Sequence, residues 1–154
     1  MSGDLHRAAG ARLAEHEQQY TRNRRAIVDV LAGADAPLTL PELLARDESL
    51  AQSSAYRNLG VLADAGVVRR LVHGGDHARY ELAEHLTEHH HHLICESCNT
   101  VVDVTLPDRL EHSLDRAFDT VATGSGFTAT HHSIDIYGQC ATCTDAAEEA
   151  AARP

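Results

Sequence analysis

Apolar positions recur three and four residues apart through the first half of the chain, then alternate one by one in much of the second. Leu5, Ala9 and Leu13 form a weak helical stripe. Thr21 is placed to cap a helix carrying Ala26, Ile27, Val30 and Leu31 that stops near Gly33. "TLPE" at 39–42 pairs Thr39 with Glu42 as a capping box, with Pro41 in the first turn of a helix bearing Leu43 and Leu44. A further helix is predicted from about Ser53 to Ala65, with Ala55, Leu59 and Leu62 inside and Gly66 ending it. "VVRRLV" and "HARYELA" then read as strands around an "HGGD" turn. Helices followed by a two-stranded hairpin is the layout of a winged helix-turn-helix, which docks its last helix in the DNA major groove.

The second half mixes periods. "HLIC" and "TVVDV" are predicted strands joined by the Cys95–Cys98 turn. Pro107 is expected to open an amphipathic helix with Leu110, Leu114, Ala117, Phe118 and Val121. "ATHHSIDIYGQC" alternates and reads as a strand that ends at a second cysteine turn, with His132 sharing a face with Ile134 and Ile136. The Ala/Glu-rich tail from Asp145 is expected to be disordered. The predicted class is α+β, with a winged-helix domain over 1–83, a small α/β domain over 84–144 and the tail over 145–154.

The net charge of −10 argues against nucleic acid until it is divided. Residues 1–83 hold ten Arg and eleven Asp/Glu, a net of −1; residues 84–154 hold three Arg and twelve Asp/Glu, a net of −9. Eight of the twelve histidines lie in the acidic part, so cationic groups and metal-type ligands are segregated, as in two modules with different partners. The chain has no apolar run long enough for a membrane span and its first residues lack an apolar signal core. A reducing, cytoplasmic setting is therefore expected, in which cysteines act as metal ligands rather than disulfides.

Cys95-x2-Cys98 and Cys140-x2-Cys143 can each form a knuckle, and two knuckles close a tetrahedral thiolate site of the structural zinc type. A redox pair is the competing reading. Such a pair ordinarily opens a helix, whereas these two are predicted at strand turns. The run "HHHH" at 89–92 follows a different logic. In extended chain His89 and His91 face one way and His90 and His92 the other, so one segment supplies two ligands to each of two sites. Glu81, His77, His85, Glu111 and His132 are the further donors within reach of such a scheme. Imidazole with carboxylate suits zinc, iron(II), manganese or nickel; a solvated histidine loop is the plain alternative, as are a core role for His132 and a solvent-facing one for Glu111. On the predicted recognition helix, Ser53, Ser54, Tyr56, Arg57 and Asn58 offer hydroxyl, guanidinium and amide groups to phosphates and base edges, and "TRNRR" at 21–25 adds three positive charges. An ordinary amphipathic helix with its polar side outward would look the same.

Taken together, "TRNR", "SSAYRNLGVLADAGVV", "RYEL", "HHHHLICESC" and "HHSIDIYGQCATC", in that order over about residues 18–143, resemble the ferric uptake regulator family of metal-dependent transcription regulators. The resemblance implies a homodimer with an N-terminal winged helix, a C-terminal dimerisation domain and metal-gated binding of double-stranded operator DNA. It implies structural zinc on Cys95, Cys98, Cys140 and Cys143. It assigns Glu81, His90 and His92 to a regulatory hinge site for zinc or iron(II), and His89, His91 and His132 to a third site. Its carboxylate is Glu111 if one residue is inserted before the helix, and the position is Leu110 otherwise. Tyr56 and Arg57 match the family's DNA-contacting pair, and Arg24 matches the basic residue opening the earlier helix.

Some positions depart from the family pattern. Where iron regulators often have a hinge histidine the chain reads "DAPL" around Pro37. Where zinc regulators have Asp after the recognition helix it has Arg69, and no cysteine lies upstream of the histidines; His77 or His85 are the candidate substitutes. Peroxide-sensing members carry Asp where Glu81 stands, and the usual "DH" of the histidine run is here "HH". A metal-responsive repressor is the expectation, with a peroxide- or other-metal sensor of the same family, or a metal buffer without a DNA role, as alternatives. An enzyme is not expected, nor a small organic substrate: there is no H-E-x-x-H signature, and a four-cysteine site has no open coordination position.

Overall fold

A computed structural model describes residues 2–73 and 77–153. The chain divides into two compact units, Met1–Glu88 and His89–Pro154.

The first unit opens with helices α1 (Ser2–Glu15) and α2 (Arg22–Ala32). Thr21 caps α2 by accepting from the Arg24 amide, as its position predicts. Helix α1 is fastened by His6: the Tyr20 hydroxyl donates to its Nδ1 at 2.6 Å, and its Nε2 donates to Asp29 at 2.8 Å. Burial, the largest influence on it, pushes the Tyr20 phenol up to about 12, so it remains a donor. A short strand β1 (Leu38–Thr39) runs into α3 (Leu40–Arg46), whose capping box is present in both directions: the Glu42 amide donates to the Thr39 hydroxyl, and the Thr39 amide to the Glu42 carboxylate. Helix α4 (Gln52–Asp64) buries Ala55, Leu59 and Leu62. It stops at Gly66, whose φ of 70° favours glycine. The hairpin strands β2 (Val68–Leu71) and β3 (Arg79–Leu82) are antiparallel, with Arg69 opposite Glu81, and β1 pairs on the other side of β3. Gly74, Gly75 and Asp76 of the expected "HGGD" turn lie outside the described residues. One apolar core joins all these elements through Leu13, Ile27, Leu43, Leu59, Leu62 and Val67. A short 3-10 turn at Glu84–Leu86 closes the unit.

In the second unit, β4 (His91–Cys95) is the central strand, antiparallel to β5 (Val101–Val104) and parallel to β6 (Asp135–Gly138). Helix α5 (Asp108–Gly124) starts after Pro107. Two expectations differ from what is seen. The alternating stretch 129–140 is a strand only over Asp135–Gly138, so His132 and Ile134 precede it in irregular chain. The tail is helical: α6 (Ala141–Ala151) continues through the Ala/Glu-rich residues, because alanine runs favour helix even when they are too polar to pack. The buried apolar side chains of this unit are few, Ile94, Cys95 and Val101 among them, while His91 and His92 are as buried as any.

Replacing Thr39 by Ala removes one half of the capping box and should lower the stability of the first unit by about 1 kcal/mol. Denaturant unfolding should show a lower midpoint at unchanged slope; an unmoved midpoint would mean that packing alone sets where α3 begins.

Candidate metal centres

The two Cys-x-x-Cys pairs meet. Cys95 ends β4, and the chain turns back through Asn99, whose φ of 58° an asparagine tolerates, before β5 begins. Cys140 caps α6 and Cys143 sits in its first turn, so the second pair opens a helix instead of a strand turn. Helix position therefore does not separate a metal site from a redox pair here; the mutual geometry does. All four Sγ atoms lie within 4.8 Å of one another and none is in a disulfide. Cys98 Sγ and Cys140 Sγ are 3.8 Å apart. Thiolates held tetrahedrally at about 2.3 Å from zinc stand about 3.8 Å from each other, against about 2.05 Å in a disulfide. The Cys140 amide donates to Cys95 Sγ at 3.3 Å, and with the Cys98 amide it pulls that thiol down to about 6. Cys143 goes the other way, pushed up to about 12 by the sulfurs of Cys140 and Cys98. Four thiolates this close repel unless a cation lies among them, so the cluster fits a dication.

The histidine run divides into two pairs, although only His91 and His92 lie in β4 and His89 and His90 precede it in irregular chain. On one side, ligand atoms of His89, His91, Glu111 and His132 lie within 4.8 Å of one another. Glu111 sits in the first turn of α5 and its Oε1 accepts from His91 Nε2 at 2.9 Å. Its Oε2 stands 3.5 Å from His89 Nε2 and 3.3 Å from His132 Nε2. Neither Glu111 Oε2 nor His132 Nε2 makes a hydrogen bond, although both are buried. His132 Nδ1 is 3.1 Å from Asp115, and its Nε2 faces the cluster. Burial pushes the Glu111 carboxyl up, but the hydrogen bond from His91 and the charges of His91, His89 and His132 outweigh it and hold it below its usual range. A cation between these two unsatisfied atoms would give both of them a partner. Glu111, not Leu110, is the residue beside these histidines; Leu110 is half exposed.

On the other side, ligand atoms of His90, His92 and Asp103 are also mutually within 4.8 Å. Asp103 Oδ2 is 4.0 Å from His90 Nε2, and its Oδ1 is 3.7 Å from His92 Nε2. His92 Nδ1 donates to Asp135 at 3.0 Å, which orients its ring. Asp103 lies opposite His92 across β4 and β5, and Asp135 opposite it across β4 and β6. Sequence reasoning misses both, though a carboxylate one strand over from a histidine is the signal that strand pairing would supply. Within the first unit, Glu81 is buried on β3 with Arg69 at 3.7 Å.

On α4, Ser53, Tyr56 and Arg57 are exposed, Tyr56 by 66%. The Ferric uptake regulator family model matches residues 15–137. The chain belongs to that family. It is thereby one of the metal-responsive transcription regulators. Among curated relatives, it is 30% identical to the peroxide operon regulator of Bacillus subtilis (strain 168) over 136 residues, 86% of this chain and 88% of that one. It is 32% identical to the peroxide-responsive repressor PerR of Staphylococcus aureus (strain NCTC 8325 / PS 47) over 139 residues, 88% of each. Among solved structures, the Helicobacter pylori ferric uptake regulator, described as having three functional metal-binding sites, shares the fold at a TM-score of 0.71, with 20% identity and 94% of each chain covered. The Vibrio cholerae ferric uptake regulator matches at 0.63 and 26% identity, over 83% of this chain and 96% of that one.

In this regulator, Glu111→Ala should cost about one bound metal equivalent per chain while Leu110→Ala should cost none. Elemental analysis after dialysis against weak chelator reads both. Equal metal content in the two variants would remove Glu111 from the histidine centre.

Proposed function

We propose that the chain represses transcription as a homodimer that binds double-stranded operator DNA when a regulatory metal, zinc or iron(II), is held by His90, His92 and Glu81. The observation that carries this reading is the histidine run, whose four side chains divide between two carboxylate-bearing clusters. Cys95, Cys98, Cys140 and Cys143 hold structural zinc, since four thiolates leave no coordination position for chemistry. His89, His91, Glu111 and His132 form the third centre.

Within its own unit the His90, His92, Asp103 set offers three ligand atoms. Zinc takes four ligands and iron(II) more, so another donor completes it. Glu81, a buried carboxylate at the far end of the wing hairpin, is the residue the family pattern puts there. A metal that joins the wing to the dimerisation domain binds one arrangement of the two better than others and so shifts the population towards it. Two recognition helices related by a two-fold axis then read a palindromic site, with Tyr56, Arg57 and Ser53 on the exposed face. Support for a homodimer comes from the C-terminal sheet, where Leu93, Val102 and Ile136 line up across three strands and are all exposed. No helix among the described residues is long and apolar enough to cross a membrane, which agrees with a cytoplasmic regulator.

A peroxide-sensing role is the second reading, favoured by the names of the relatives cited above. It uses the same centre with iron(II) as the ion, and Glu81 in place of Asp is the feature set against it.

Alanine at both His90 and His92 should abolish metal-dependent operator binding and leave a folded dimer. A gel shift with zinc, iron(II) and manganese, with and without peroxide, tests this. Equal affinity with and without metal in the unaltered protein would end the gating account, and loss of the iron-loaded complex on adding peroxide would favour the second reading.

A further inference from the structure

The family resemblance places Arg24 among the residues that touch DNA, and Ser54 is a further candidate donor to it. The hydrogen bonds around both point inward. Arg24 stands in the first turn of α2 and is half-buried. Its Nε donates to Asn58 Oδ1 at 3.0 Å, one terminal nitrogen to the Gln19 carbonyl at 2.5 Å and the other to Gln18 Oε1 at 3.2 Å. Each guanidinium nitrogen thus donates to the protein, which uses three of the five N–H groups. Asn58 is in turn fully used: its amide nitrogen donates to the Ser54 carbonyl at 2.9 Å and reaches the Ser54 hydroxyl at 3.2 Å. That hydroxyl also accepts from Asn23, the neighbour of Arg24, at 3.1 Å. Ser54 and Asn58 are four residues apart and share one face of α4, so two points along the helix are tied to the first turn of α2.

We propose that Arg24 is a positioning residue that latches the recognition helix through Asn58 and Ser54, and does not bind phosphate. The proposal rests on the DNA-binding reading for its consequence, but not for the latch itself. Base-edge readout needs the helix held at a fixed roll, so that Ser53, Tyr56 and Arg57 enter the groove together. A charged hydrogen bond between α2 and α4, out of line with the apolar core, sets that roll. Only an arginine fork reaches Asn58, Gln19 and Gln18 at once; a lysine keeps the charge and loses the geometry.

The test compares Arg24→Lys, Arg24→Gln, Asn58→Ala, the Arg24→Lys/Asn58→Ala double variant and Arg57→Ala in the metal-loaded full-length protein. Fluorescence anisotropy with duplex DNA from the protein's own promoter region is measured across a salt series. A phosphate-binding side chain reveals itself in the slope of log affinity against log salt, which becomes shallower by roughly one when that side chain is removed. Arg57→Ala should lower the slope. Arg24→Lys should weaken binding about ten-fold at unchanged slope, Asn58→Ala should match it although it removes no charge, and the double variant should lose no more than either. Arg24→Lys binding like the unaltered protein, together with Arg24→Gln lowering the slope as Arg57→Ala does, would overturn the proposal. Amide hydrogen exchange on DNA-free protein gives a second reading. Arg24→Lys should speed exchange at the first turns of α4 more than in α2, and unchanged exchange there would also overturn it. If the unaltered protein binds no DNA, the DNA reading falls, and the exchange experiment still decides whether the latch exists.

Discussion

Everything in the C-terminal unit follows from β4 being extended and held on both edges. Antiparallel β5 on one side and parallel β6 on the other set the register of the strand. Successive side chains must then leave it on opposite faces. His91 and His92 open the strand on opposite faces, and His89 and His90, just before it, join them as two pairs, each meeting its own carboxylate: Glu111 from α5 for one pair, Asp103 from β5 for the other. A slip of one residue would exchange the pairs and present each to the wrong partners. The same strand ends in Cys95, so its register also positions the four-sulfur cluster.

The energetics differ between the two units. The first has a conventional core of leucines, isoleucine and valines joining four helices to the wing, and its caps and hydrogen-bonded clasps refine a fold that burial already favours. The second buries little apolar surface and places imidazoles and thiols where a larger domain would place leucine. Polar groups buried without hydrogen bonds cost free energy. Glu111 Oε2 and His132 Nε2 are such atoms, and Cys143 is a thiol whose ionisation its neighbours oppose. An ion in each cluster turns these costs into stabilisation. Metal binding would thereby add to the stability of this half of the molecule, which suits a metal-responsive regulator.

Much of this is readable from residue order. The paired cysteines, the Thr39 capping box, the Thr21 cap and the inward positions of α4 all rest on local rules, and the structure contains them. The two-sided histidine run needs only the assumption of an extended chain. What residue order does not show depends on pairing between distant segments. Asp103 and Asp135 acquire meaning once β5 and β6 are set beside β4. Glu111 cannot be told from Leu110 until the start of α5 is fixed, because one residue turns a helical side chain by about 100°. Cys140 looks like a strand-end ligand because its alternating neighbours hide the helix that begins there. Arg24 and Ser54 sit among polar residues at a helix start, where sequence cannot say whether a donor faces solvent or a neighbouring helix.

The most direct test is anomalous diffraction from crystals of the metal-loaded protein, collected at the absorption edge of the ion supplied. Two histidine-bound ions on opposite faces of β4 are expected, one touching His89, His91, Glu111 and His132, the other touching His90, His92 and Asp103, with a further ion among the four sulfurs. A single ion bridged by adjacent imidazoles, such as His89 with His90, would show that the strand does not sort its histidines by face.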